Sequence, residues 1–143
     1  MLYTAEQVAS YVIFYCNQNE KQVTNLKLQK ILYYLWIYFY KETGNYLFED
    51  NIRAWQYGPV VPDVYFKYCS SGWFSIIANP KNELDDETAK IANSVLKDLL
   101  DKSARDLVDL SHKEGKPWKL IYKNGEGKNK IIPFSLIIDL ECN

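Results

Sequence analysis

The stretch TNLKLQKILYYLWIYFYKETG, residues 24–44, decides the fold. Thr24 or Asn25 can cap a helix there, and Gly44 can stop it just past Glu42. In its first turns Leu26, Leu28 and Ile31 alternate with Lys27, Gln29 and Lys30. From Leu32 to Tyr40 every side is apolar or aromatic. A helix that is apolar all round must be surrounded, so this segment belongs at the centre of the molecule. The run from Ile31 to Tyr40 is too short to span a bilayer and reads as a buried core helix. The tyrosine hydroxyls within it need hydrogen-bond partners or water at the rim.

Amphipathic elements suited to surround such a helix lie on both sides. Upstream, Thr4 and Gln7 have capping-box spacing, and Val8, Tyr11, Val12 and Tyr15 follow at helical intervals to about Asn17. Downstream, Asn51–Tyr57 alternates as a short strand, with Ile52, Ala54 and Gln56 opposite Arg53, Trp55 and Tyr57. Gly58-Pro59 breaks it, and Pro62 suits the first turn of a helix over Val61–Cys69. Trp73–Ala78 is apolar without a clear period and reads as a loop plug or a short extended piece. Asp85 caps a helix to about Leu100, with Ile91, Val95, Leu96 and Leu99 inward. Ser103 caps another, with Leu107, Val108 and Leu110 inward, and Gly115 lies just beyond its end. Pro117 opens a short helix through Tyr122. Ile131-Ile132 can pair with the Trp55 strand, and Pro133 opens a last helical turn or two to Leu140. The expected fold is mainly α with a small β element, a compact helical domain around a central aromatic helix.

The length, 143 residues, fits one domain over 1–143, with no room for a second. An apolar share of 48% and a charged share of 24% are ordinary for a globular chain and exclude disorder. Twelve Tyr, six Phe and four Trp make it unusually aromatic, which suits wet-edged cores and partner surfaces alike. Net charge is −1, so there is no global basic footprint for nucleic acid. The charge is uneven, however. Asn82–Leu110 holds eight acids against four bases, whereas Lys113–Lys130 holds six Lys against two Glu, a face that can attract anions. Three widely spaced cysteines, no CxxC pair and no secretory leader fit reduced thiols in the cytoplasm.

Catalytic signatures are thin. His112 is the one histidine, without a second imidazole for a metal site, and it falls near a helix C-terminus, where a cation is mildly stabilising. Cys16 and Cys69 sit among apolar or aromatic residues, where a thiol behaves as a small hydrophobe. There is no nucleophile elbow, P-loop or dinucleotide fingerprint, and Gly125-Glu-Gly127 lacks the strand and third glycine that one needs. No catalytic residue, metal or cofactor is expected. A helix-turn-helix is disfavoured because the 24–44 helix is too apolar to lie in a groove. Single-stranded nucleic acid would need a basic groove beside exposed rings, which only Lys113–Lys130 could offer.

Two stretches in order, TNLKLQKILYY at 24–34 and FEDNIRAWQYGPVVPDVY at 48–65, resemble the Panacea antitoxin family, with its SocA-like and phage-associated GepA-like members. The likeness continues more loosely through Lys116-Pro-Trp118. The matching positions are Gln29, Lys30, Tyr33, Gly58, Pro59 and Val60, together with Trp55, Tyr57 and Tyr65. The resemblance implies a cytosolic bacterial or prophage protein that counteracts a cognate toxin, usually encoded beside it, through protein–protein contact. It leaves the toxin unnamed, because family members accompany very different toxins. Some relatives deliver a client to a cellular protease, so an adaptor role stands as the alternative, with a small hydrolase or nucleotide-binding protein behind it.

The motif residues admit two roles. In the structural one, Gly58 turns the chain before Pro59, Trp55 and Tyr65 plug the core around the central helix, and Lys30 snorkels from its edge. In the sharper one, Arg53, Trp55, Tyr57 and Tyr65 line a groove that receives a toxin segment, since Trp, Tyr and Arg dominate binding hot spots.

Overall fold

The computed structural model describes residues 2–143. Seven α-helices, α1 (Ala5–Gln18), α2 (Asn25–Thr43), α3 (Pro62–Lys67), α4 (Asp86–Asp101), α5 (Ala104–Ser111), α6 (Pro117–Tyr122) and α7 (Phe134–Glu141), accompany a two-stranded hairpin of β1 (Arg53–Trp55) and β2 (Gly58–Val60). The protein is mainly α with a small β element. Short 3₁₀ turns follow α3, at Cys69–Ser71, and α6, at Lys123–Gly125.

Helix α2 is central, touching α1, α3, α4, α5, α7 and β2. Thr24 caps it, its Oγ1 accepting from the Lys27 N–H at 3.2 Å, and Gly44 ends it in the left-handed conformation. Leu28, Ile31, Leu32 and Trp36 have no exposed surface, the expected outcome for a helix apolar on every side. Trp36 is stacked between Tyr40 and Phe134, with ring centroids 5.6 and 4.7 Å away, and its indole N–H donates to the Phe48 carbonyl at 3.0 Å. One tyrosine of the run finds its partner across the core, Tyr33 donating to Glu141 at 3.1 Å. The buried Tyr34 hydroxyl has no protein partner, and burial raises its pKa.

The surrounding helices start where side chains replace missing backbone partners. Thr4 and Gln7 form a full capping box on α1, as Ser103 and Asp106 do on α5. Asp85 caps α4 through the Thr88 N–H and is also bonded by the Tyr3 hydroxyl; the Thr88 side chain, and after it the Tyr3 hydroxyl, hold its carboxyl down at about 2. The inward faces of α4 and α5 are narrower than their patterns suggest. On α4, Ala92, Leu96, Leu99 and Leu100 are buried while Ile91 and Val95 are half-buried. On α5 only Leu107 of the three expected residues is buried.

Three local readings are corrected. Gly58-Pro59 does not end the β element, because the chain turns at Gln56-Tyr57 and pairs back, Arg53 opposite Val60 and Trp55 opposite Gly58. Of the two readings of Trp73–Ala78 the plug falls and the short extended piece holds from Ser75, after a turn at Trp73-Phe74; Ile76 donates to the Val23 carbonyl, and Trp73, Phe74 and Ile77 are between 81% and 97% exposed. Cys69 is exposed, whereas burial pushes the Cys16 thiol up to about 11. The expected pairing of Ile131-Ile132 is present as a bridge to Arg53, with Ile132 donating to the Ile52 carbonyl at 2.8 Å. No helix of the described residues is long and apolar enough to cross a membrane.

Candidate functional site

Where the N-terminal turns of α2 pass beneath the hairpin, an open cleft of about 550 Å³ forms. Helix α2 contributes Asn25, Leu26, Gln29 and Lys30; the hairpin contributes Trp55, Tyr57 and Val60. Tyr65 of α3, Trp73 of the turn before the extended segment, and Lys128 and Asn129 also line it.

The geometry is fixed by a polar network under the rings. Gln29 is buried, its Oε1 accepting from the Val61 N–H at 2.9 Å and its Nε2 donating to Asn25 Oδ1 at 3.0 Å. Asn25 in turn donates to the Tyr65 carbonyl at 2.9 Å. This chain ties α2 to the residue that caps α3 and to the backbone that carries the Tyr65 ring. On the other side Asn129 accepts from the Trp55 indole N–H at 3.0 Å, and the Trp118 indole donates to the Trp55 carbonyl at 2.7 Å. With both ends of Trp55 held, its ring meets Tyr65 edge-on at 5.1 Å and Phe66 at 6.0 Å. Edge-to-face contacts of this kind favour a defined surface over a collapsed one.

Lys30 does not snorkel. It has no exposed surface, and its Nζ donates to the Pro59 carbonyl at 3.0 Å. The reason lies in the hairpin: Gly58 sits at φ +111°, and a Cβ there would come within 2.8 Å of both Lys30 Cε and Ser111 Oγ. The missing side chain is the space the lysine stem occupies. Burial lowers the Lys30 amine to about 7. His112 is half-buried, its ring parallel to Trp118 at 3.6 Å. Burial, with Lys30 and Lys119 close by, lowers its pKa, so its place at the α5 terminus does not make it the stabilising cation the sequence suggests.

The structure thus brings Trp55, Tyr57 and Tyr65 to one cleft. Trp55 and Tyr65 are half-buried walls of it rather than core plugs, and Tyr57 is 52% exposed. Arg53 is not among the lining residues; its guanidinium turns to the Asn129 carbonyl at 2.8 Å. Of the remaining motif residues, Gln29, Lys30 and Val60 line the cleft, Gly58 and Pro59 hold Lys30 beneath it, and Tyr33 belongs to the core. Sequence reasoning missed Asn25, Trp73, Lys128 and Asn129. The lysine-rich run was a signal for Lys128. No carboxylate lines the cleft, and among the described residues no three His, Cys, Asp or Glu side chains gather as a metal-binding set.

Fold and site together define a small helical protein that presents a preformed aromatic cleft. The model of the antitoxin SocA-like, Panacea domain family matches residues 28–119, and the chain belongs to that family. It is 32% identical over 122 residues to the antitoxin SocA of Caulobacter vibrioides (strain NA1000 / CB15N), covering 75% of this chain and 63% of that protein. The chain therefore spans less than two thirds of that relative's length. No solved structure matches it.

Proposed function

We propose that the chain is an antitoxin that holds a cognate toxin by direct protein–protein contact, in the cytoplasm and without a cofactor, making and breaking no bond. The cleft is the docking face. One observation carries this reading: the two stretches that give the family likeness, 24–34 and 48–65, meet in the walls of one open cleft. Family membership and the likeness to a protein described as an antitoxin support it.

The physical basis is ordinary interface chemistry. Interfaces that bind tightly bury roughly 1,600 Å² but draw most of their energy from a few aromatic or Arg anchors. Trp55, Tyr57, Tyr65 and Trp73 offer such anchors, and Trp55 and Tyr65 are already held by a hydrogen bond and ring contacts, so little ordering of those two remains to be done on binding.

The test is co-expression with the product of the neighbouring open reading frame. The chain is expected to restore growth and to co-purify with that protein, and Trp55→Ala combined with Tyr57→Ala to abolish both. Because each ring is at least partly exposed, the double variant should keep a cooperative melting transition, which separates lost docking from lost fold. Rescue by the folded double variant, or absence of any co-purifying partner, would refute the reading.

A further inference from the structure

Two lysines line the cleft without a counter-charge. Lys30 lies beneath it and Lys128 at its edge, no Asp or Glu lines it, and among the described residues neither lysine is in an ion pair. Arg53 adds a fixed positive charge behind Asn129. This is a local excess in a chain whose net charge is −1, and it is where the lysine-rich segment of the sequence meets the aromatic motif. Lys30 can donate three hydrogen bonds and makes one, to the Pro59 carbonyl. Burial disfavours the charged form of Lys30 in the free protein, and an anion brought to the cleft favours that form and covers it from water.

The rest of the wall is apolar or aromatic, and the volume, about 550 Å³, accommodates a few side chains rather than a folded element. We infer that the cleft takes an acidic–apolar segment of the partner protein: a large apolar side chain among Trp55, Tyr65 and Trp73, next to a Glu or Asp whose carboxylate lies in the field of Lys30 and Lys128. This names the chemistry of the toxin segment and rests on the cleft being the toxin-docking face. A nucleic acid strand is the poorer fit, because it needs a row of phosphate contacts along a basic track, and this cleft offers two lysines in a net acidic chain.

The probes are three peptides, GELFEG, GQLFQG and GKLFKG, each carrying fluorescein on its N-terminal amine and an amide at its C-terminus, and a short oligothymidylate labelled with the same dye. Each is titrated against the full chain by fluorescence anisotropy at low and high ionic strength. The acidic peptide is expected to bind about tenfold more tightly than the neutral one, the basic peptide more weakly than both, and the acidic preference to shrink as salt rises. Lys128→Glu, a change at an exposed position, is expected to cancel the preference. Equal behaviour of the three peptides (including none binding), tighter binding of the oligothymidylate, or a preference that survives Lys128→Glu would overturn the inference. Competition against the co-purified partner separates the two levels. If the partner binds but GELFEG does not displace it, the inference falls and the antitoxin reading stands. If no partner binds, the antitoxin reading falls whichever peptide is preferred.

Discussion

Replacing Lys30 by methionine removes a buried amine while keeping a side chain of similar length, and it isolates a term that pH can read. In the folded chain the amine titrates near 7, against an ordinary value near 10.5 when solvated. Below pH 7 both states carry the proton, and the folded state bears the full penalty of the buried charge. Between pH 7 and 10.5 the unfolded chain holds more protons than the folded one, so stability rises with pH across that window. At about 1.4 kcal/mol per unit, the wild type gains about 3 kcal/mol relative to Lys30→Met between pH 7 and pH 9.5. The window avoids His112, whose lowered pKa places its titration below it. Urea unfolding followed by circular dichroism at several pH values gives both curves, and their difference removes groups common to the two proteins. Loss of the bond to the Pro59 carbonyl adds a constant offset that does not change with pH. A wild-type-minus-variant difference that is flat over this range would show that Lys30 is solvated in the folded state, and the packing of Gly58 over it would be wrong.

Three further outcomes follow from the same geometry. Gly58→Ala meets both a left-handed backbone and two side chains 2.8 Å away, and should lower stability by about 2 kcal/mol or more in the same urea assay. Gln29→Leu strips the buried Val61 N–H of its acceptor, at about 1–3 kcal/mol, and loosens the Asn25–Tyr65 link; the loss should be visible both in melting temperature and in partner affinity. Trp73→Ser, by contrast, removes a ring that is 81% exposed, so stability should stay within about 0.5 kcal/mol while partner affinity, measured by surface plasmon resonance, drops.

The sequence revealed the parts of this molecule that depend on neighbours in the chain. Helix α2 was legible because its apolar run leaves no solvent face, and Thr4, Thr24, Asp85 and Ser103 marked helix starts because capping is a contact over three residues. What escaped was set by distant parts of the fold. Lys30 looks like a helix-edge residue until Gly58, twenty-eight positions on, lays bare backbone over its stem. Pro59 reads as a breaker, yet the hairpin turn brings it opposite Ala54. Arg53 belonged by type with the groove residues, but Asn129 draws its guanidinium away. Trp73 and Phe74 are apolar enough to suggest burial, and only the extended path from Ser75 to Ala78 along the Val23 backbone shows that their rings stand clear of the core. Trp55, Tyr57 and Tyr65 of the cleft were found through the motif they share, as were Gln29 and Lys30; Trp73, Lys128 and Asn129 were not, the last two reaching it from about seventy residues beyond the hairpin.

Calorimetric titration of the purified chain into the product of its neighbouring open reading frame, with the toxin's activity followed in the same samples, tests docking at the cleft most directly. Saturable binding at one chain per toxin, with activity falling in step and both lost in the folded Trp55→Ala, Tyr57→Ala variant, is the expected result. A toxin that stays fully active with this chain bound in excess would contradict it.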